Sequence, residues 1–174
     1  MKRVSLMVVA FGVLVSGCGS SSSTAPTTPT NPTFTANLLP SNEVPAIVGA
    51  EAAGSGTATV TIVTTKDSAG NVTAATATFV VNMSGFPAGT TISNAHIHAA
   101  ASGVNGAVVV PSGITNGANV VAANGTVTFT AAGLTVTPVD VANQILANPA
   151  GFYFNVHSTL NPGGVVRGQL ARVP

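Results

Sequence analysis

The sequence contains very few charged residues: of 174 residues, five are Lys or Arg and four are Asp or Glu. They make up 5% of the chain, whereas an average soluble domain contains about 25%. A nucleic-acid-binding protein needs a patch of basic side chains to neutralise phosphates, and this chain has too few to form one. Coiled coils and charge-rich disordered tails also depend on charged residues. The composition therefore excludes these classes and predicts no nucleic-acid partner.

Cysteine and the larger aromatic residues are equally scarce. Cys18 is the only cysteine, so the chain cannot form an intramolecular disulfide and the residues after it cannot supply the thiolate of a blue-copper site. Tyr153 is the only tyrosine and tryptophan is absent, so no aromatic platform for sugars is evident. The four acidic residues share no motif for paired-carboxylate catalysis. We therefore expect a structural or binding module rather than an enzyme, and its protein or glycan partner is left open.

The N-terminus has the organisation of an exported lipoprotein. A basic start is followed by a mainly apolar stretch at 4–15, which suits a signal peptide and is shorter than the roughly 20 residues of a membrane span. Small residues directly precede Cys18, as in the bacterial lipobox, where the Cys becomes the new N-terminus and is acylated. The alternative is a buried or free thiol after an ordinary signal peptide. We predict a signal peptide at 1–17 and anchoring to membrane lipid at the bacterial cell envelope, at the outer membrane or cell surface rather than the cytoplasmic membrane.

Residues 18–32 are rich in Ser, Thr and Pro, which cannot bury a core, and predict a tether. The remaining residues, 33–174, are enough for one domain with one core. Apolar and polar residues alternate strictly in this part of the chain, which is typical of half-buried antiparallel strands. We predict nine strands, at 34–39, 56–64, 76–83, 91–98, 107–110, 119–123, 126–131, 151–157 and 165–170.

Turn residues and one helical segment complete the predicted fold. Hairpin turns are expected at 67–71 and at Asn124-Gly125. A short helix is expected at 138–147, with Thr137 as its N-cap, Pro138 at the first helical position and Asp140 in the first turn. The whole pattern predicts an all-β fold, an antiparallel β-sandwich or partly closed barrel with one short helix.

Strand alternation also places polar side chains on one face of three of these strands, while the apolar residues between them face the core. If the three strands are neighbours, the polar side chains form one cluster. In the last strand, Val165 is expected on the polar face, together with Arg167 and Gln169. The cluster consists of Asn94, His96, His98, Tyr153, Asn155, His157, Arg167 and Gln169.

Two interpretations of this cluster are open. His96 and His98 lie on one face about 7 Å apart at Cα, close enough to bind one ion, and His157 supplies a third ligand. Three neutral nitrogens suit Zn²⁺ or Cu²⁺ with an open fourth position. The alternative is a hydrogen-bonded polar layer that holds strand ends and loops together. Glu43 follows the first strand and is expected to form an ion pair with Arg167, with a role as fourth metal ligand as the alternative.

Three stretches of the chain resemble the CHRD domain, a family named after chordin and common in bacterial exported proteins. They are residues 34–45, residues 95–110, which begin Ala-His-Ile-His, and residues 152–170. The resemblance covers 33–174 and implies an immunoglobulin-like or superoxide-dismutase-like β architecture without an established activity. Family members usually have Glu at the position of Val165. The His-x-His pair is also similar to the copper-binding strand of Cu/Zn superoxide dismutase, but three histidines are too few for its two-metal site, so we do not expect dismutase activity.

Overall fold

The computed structural model describes residues 31–114 and 120–174. The predicted signal peptide, the predicted lipidation site Cys18 and most of the predicted tether lie outside these residues. None of the described helices is long and apolar enough to cross a membrane. The strands are β1 (Thr33–Leu38), β2 (Ser55–Lys66), β3 (Val72–Ser84), β4 (Thr90–Ala99), β5 (Ala107–Pro111), β6 (Val120–Ala122), β7 (Val127–Thr135), β8 (Phe152–Ser158), β9 (Val166–Gln169) and β10 (Ala171–Arg172). The α-helix α1 spans Val139–Ala147, and single 3₁₀ turns lie at Pro40–Asn42 and Pro149–Gly151.

Two antiparallel sheets pack face to face. The first has the strand order β10-β1-β2-β3-β7, and the second has the order β5-β4-β8-β9, with β6 also paired to β4. Phe79 of the first sheet and Phe154 of the second meet edge to face with ring centroids 5.0 Å apart. Ala58, Val60 and Ile62 are fully buried on one face of β2, as their alternation predicts. The prediction of an all-β fold is confirmed, in the form of a sandwich with one α-helix among the described residues.

The C-terminal strand departs from the prediction. The segment predicted as one strand is two: β9 pairs with β8 in the second sheet, and β10 pairs with β1 in the first. The chain changes sheets at Leu170, whose side chain is buried in the core and whose N–H donates to the Phe152 carbonyl. Val165 is also buried in the apolar core, not on the polar side, because the regular register with β8 begins only at Val166.

Two other local predictions were wrong. Asn124-Gly125 forms a turn but not a hairpin, because β6 pairs with β4 while β7 pairs with β3 in the other sheet. The side chain of Thr137 does not cap the helix, since the extended residue Pro138 occupies the N-cap position and α1 begins at Val139. The hairpin at 67–71 is present and joins β2 to β3.

The two sheets approach each other closely along one edge. Leu39, directly after β1, exchanges backbone hydrogen bonds with Arg167 of β9, with N···O distances of 3.1 and 3.3 Å. A Cβ atom at Gly168 would overlap the carbonyl oxygen of Asn37. Glycine is therefore required at this position. The close approach brings the segment after β1 over the outer face of the second sheet.

We expect Gly168→Ala to lower the free energy of unfolding by about 2 kcal/mol or more, because the overlap with backbone forces β1 and β9 apart. Urea denaturation measures the change. Gly163→Ala is the matched control, since a Cβ there meets nothing within 4 Å. Equal stability of the two variants would contradict the close approach.

Candidate metal centre

The three strands that carry the predicted polar cluster are neighbours, with β8 between β4 and β9. The register pairs His96 with Asn155 and His98 with Tyr153 across β4 and β8. Asn155 is also paired with Arg167 across β8 and β9. Residues directly opposite each other in an antiparallel pair lie on the same face. These side chains therefore share the outer face of the second sheet, away from the core.

The third histidine lies in the same row, because His157 is two residues from Asn155 along β8 and opposite Asn94 on β4; a β-bulge lies next to this pair. Ile92 pairs with Ser158 and Asn94 pairs with His157, so Ser93 is an extra residue on β4. In a regular strand, Ile92 and Asn94 would lie on one face. With the bulge, Ile92 is buried in the core while Asn94 lies on the outer face with His157.

The imidazole of His96 packs against those of His98 and His157, whose own ring centroids are 6.2 Å apart. The ring centroid of His96 lies 4.5 Å from that of His98 and 4.4 Å from that of His157. One ring nitrogen of each lies within 4.8 Å of the others, so small movements of the rings would place all three around one ion at bond lengths of about 2.1 Å. Among the described His, Cys, Asp and Glu side chains, the group that could hold an ion consists of these three histidines, so Glu43 is not part of it. All three are buried, with 7–8% of each residue exposed.

Hydrogen bonds fix which nitrogen of two of the rings carries the proton. Nδ1 of His98 lies 2.8 Å from the carbonyl oxygen of Gly106, and Nδ1 of His157 lies 2.9 Å from that of Pro162. A carbonyl oxygen can only accept, so both Nδ1 atoms are protonated and both neutral rings keep a lone pair on Nε2. Neither Nε2 atom has a hydrogen-bond partner, although both are buried. The free lone pairs are those that a metal would use.

Burial keeps the three imidazoles neutral. The pKa of His96 is lowered to about 3, chiefly by burial and in smaller part by the neighbouring imidazoles of His157 and His98. Burial also lowers the pKa values of His98 and His157, and the positive charge of Arg167 acts in the same direction. At neutral pH all three rings are therefore in the form that binds metals.

The loop at 100–106 holds His98 in place through a second contact. The ring of Tyr153 is stacked on that of His98, with centroids 4.7 Å apart and an angle of 2° between the planes. The Gly106 N–H donates to Tyr153 Oη at 3.2 Å while its carbonyl accepts from His98. A Cβ atom at Gly106 would overlap the carbonyl oxygen of Ala99, so the loop needs glycine here.

Arg167 joins the remaining loops to this face. Its Nε donates to Glu43 Oε2 at 2.9 Å, which is the ion pair that the sequence predicts. Its other nitrogens donate to the Val104 carbonyl at 3.3 Å and to Asn105 Oδ1 at 2.7 Å. The guanidinium lies 4.8 Å from the centroid of the Tyr153 ring. Burial raises the pKa of Glu43 to about 7, although Arg167 opposes the shift.

Two of the predicted cluster residues act at its margins. Asn94 Oδ1 accepts from the adjacent Ala95 N–H at 2.8 Å. Gln169 Nε2 donates to the carbonyls of Ala100 at 3.0 Å and Ala150 at 2.7 Å, so it ties the strand end to two connections. None of these hydrogen bonds involves the three imidazoles.

Gly106, Pro162 and Glu51 have roles that the sequence does not predict. Oε2 of Glu51 accepts from Ser158 Oγ and from Asn161 Nδ2, each at 2.6 Å, and so fixes the loop that carries Pro162. The available signals were an acidic residue in a chain with only four and an Asn beside Gly or Pro after each histidine strand. These signals mark turns, but they do not identify a carbonyl that orients a histidine.

Comparison with protein-family models gives a match to the CHRD domain over residues 34–170. The chain belongs to the CHRD domain family. The resemblance identified in the sequence is thereby confirmed, and membership in this family supports a structural or binding module. No curated protein and no solved structure matches the chain. In this CHRD domain the described polar face combines a layer of loop-fixing hydrogen bonds with three histidines that could hold one ion.

The lowered pKa values predict acid sensitivity of the metal-free protein. Below the ordinary histidine pKa of 6.5, the unfolded chain binds more protons than the folded one, so stability present above that pH is lost as the pH falls. Glu43 opposes this loss of stability between pH 4.5 and about pH 7, because its raised pKa makes the folded state bind more protons than the unfolded state. For His96 alone, the loss from pH 7 to pH 5 is about 2 kcal/mol.

His96→Ala should therefore show a smaller fall in urea midpoint between pH 7 and pH 5 than the parent protein. Asn94→Ala, on the same face, is the control and should keep the parent's pH dependence. Equal pH dependence of His96→Ala and the parent would contradict the burial of a neutral imidazole.

Proposed function

We propose that this CHRD domain binds one Cu²⁺ or Zn²⁺ ion through His96, His98 and His157. The observation that carries the proposal is the state of two of these rings. In His98 and His157, Nδ1–H is held by a backbone carbonyl and the buried Nε2 has no partner. Metal-binding histidines commonly have this arrangement, because the second hydrogen bond fixes the tautomer and the direction of the lone pair.

The same observation favours a metal over a purely hydrogen-bonded layer. In a satisfied polar layer, each buried acceptor finds a donor, and an unsatisfied one costs about 1–3 kcal/mol. Arg167 and Gln169 donate hydrogen bonds to loop carbonyls, so the outer part of the face fits the interpretation as a polar layer. At its centre the Nε2 atoms of His98 and His157 have no donor, and a cation would bind their lone pairs.

The ligand set indicates which ions fit. Three neutral imidazoles suit both zinc and copper, and divalent copper generally binds a nitrogen site more tightly than zinc. Three protein ligands leave one position of a tetrahedral ion open. We therefore expect Cu²⁺ to bind more tightly than Zn²⁺, with one ion per chain.

We further propose that the domain acts at the bacterial cell envelope, as a structural or binding module carried by a lipid anchor on Cys18 and a tether at 18–32. The support is the order of the N-terminal features in the sequence: a basic start, a short apolar stretch, small residues and a cysteine. Acyl chains contribute roughly 0.8 kcal/mol per buried CH₂, so several chains hold a protein at a membrane surface.

Calorimetric titration of the metal-free full-length chain with Cu²⁺ and Zn²⁺ tests the metal proposal. We expect a dissociation constant below about 10 μM for the parent protein and a loss of about tenfold or more in His96→Ala and in His157→Ala. Asn94→Ala should bind like the parent, since the side chain of Asn94 shares the face but its Oδ1 is turned to the adjacent Ala95 N–H. Binding weaker than about 10 μM in the parent, or unchanged in both histidine variants, would sink the proposal.

Fractionation of bacterial cells tests the anchor. Cys18→Ser should move the protein from the membrane fraction to the soluble exported fraction, because the thiol is the site of acylation. Ser22→Ala, a change in the adjacent tether, should remain with the membranes. Membrane retention of Cys18→Ser equal to that of Ser22→Ala would show that the lipobox interpretation is wrong.

A further inference from the structure

Buried acceptors without donors are concentrated at the three-histidine site. Among the described residues, four buried side-chain nitrogen or oxygen atoms have no hydrogen-bond partner: Glu43 Oε1, His98 Nε2, Asn155 Oδ1 and His157 Nε2. All four are acceptors, given the tautomers of the two rings and the ionised form of Glu43 in its pair with Arg167. An ion bound as proposed above accounts for the two nitrogens and leaves two oxygens without a partner.

The amide of Asn155 lies within the row of histidines. Along β8 it is two residues from His157 on the same face, and across the sheet it is paired with His96. Only 2% of Asn155 is exposed. Its Oδ1 is therefore an acceptor beside two of the proposed ligands and shielded from solvent.

The carboxylate of Glu43 approaches this amide from the loop after β1. The two groups meet beside Gly164, which has a φ of 132°. A Cβ atom built there would lie 2.7 Å from Asn155 Nδ2 and 2.8 Å from each carboxylate oxygen of Glu43. The absence of a side chain at Gly164 thus lets the carboxylate and the amide come together next to the histidines.

Arg167 makes no hydrogen bond to the free carboxylate oxygen, Glu43 Oε1. Its Nε is bonded to the other oxygen, Glu43 Oε2, and its terminal nitrogens are bonded to Val104 and Asn105. Glu43 is also not among the side chains that could hold the ion directly. A small group that donates hydrogen bonds, located between the ion and the two oxygens, would satisfy both.

We propose that the fourth ligand of the ion is a water molecule whose hydrogen atoms are accepted by Asn155 Oδ1 and Glu43 Oε1. This inference rests on the proposed metal site and deepens it. Asn155 and Glu43 are then positioning residues that select a neutral, protic ligand. An anion that only accepts hydrogen bonds, such as azide, would face an amide oxygen and a carboxylate and is disfavoured. The ion thus has one coordination position whose ligand can exchange, unlike the ion in a closed structural site.

Pulsed electron paramagnetic resonance of the Cu²⁺-loaded full-length chain tests the water ligand directly. In water labelled with oxygen-17, we expect a hyperfine coupling from one directly bound oxygen. The measurement on the parent protein needs no variant and is therefore independent of any folding defect. Copper bound by the histidines without a labelled-oxygen coupling would overturn this inference, for example if Asn155 itself were the fourth ligand, while leaving the metal proposal intact.

Azide titration of the same copper-loaded protein tests the roles of the two acceptors. Glu43→Gln and Asn155→Leu each remove an acceptor, so we expect azide to bind about tenfold more tightly in both than in the parent. Asp140→Asn removes one negative charge from the first turn of α1 and should leave azide affinity unchanged. Unchanged azide affinity in Glu43→Gln and Asn155→Leu would overturn the positioning roles. Failure of the parent to bind copper at all would overturn the metal proposal and this inference together.

Discussion

Two hydrogen bonds from imidazoles to backbone carbonyls determine the chemistry of the described polar face. They hold Nδ1 of His98 against Gly106 and Nδ1 of His157 against Pro162, and they leave both Nε2 lone pairs buried. The surrounding contacts keep those carbonyls in place. Tyr153 Oη accepts from the Gly106 N–H, and Glu51 accepts from Ser158 and Asn161 in the loop that carries Pro162. A protein that only needed to cover this sheet face could do so with apolar residues.

The scarce charges connect the fold to this site. Arg167 exchanges backbone hydrogen bonds with Leu39 where the two sheets meet, and its side chain binds Glu43 and the loop at 104–105. The same residue therefore closes the edge of the sandwich and holds the layer of loops over the histidines. Its positive charge also helps to lower the pKa values of His98 and His157. Two of the few charged residues of the chain, Glu43 and Arg167, are thus paired at this face.

The sequence was sufficient to predict the sandwich, the shared face of β4, β8 and β9, and the ion pair of Glu43 with Arg167, because a period of two assigns each side chain to a face. It was insufficient where nonlocal pairing decides the outcome. The bulge at Ser93 and the change of sheet at Leu170 depend on which strand is opposite. The carbonyls that orient the histidines belong to loops, whose course no periodicity specifies. The roles of the three histidines as ligands and of Cys18 as an anchor stay predictions.

The most direct test of the central claim is a crystal structure of the Cu²⁺- or Zn²⁺-loaded protein with anomalous diffraction measured at the metal edge. We predict one anomalous peak, bound by His96 and by Nε2 of His98 and His157, with both Nδ1 atoms still bonded to the Gly106 and Pro162 carbonyls. A peak elsewhere on the chain, a metal bound through Nδ1, or three imidazoles without a peak between them would contradict the account.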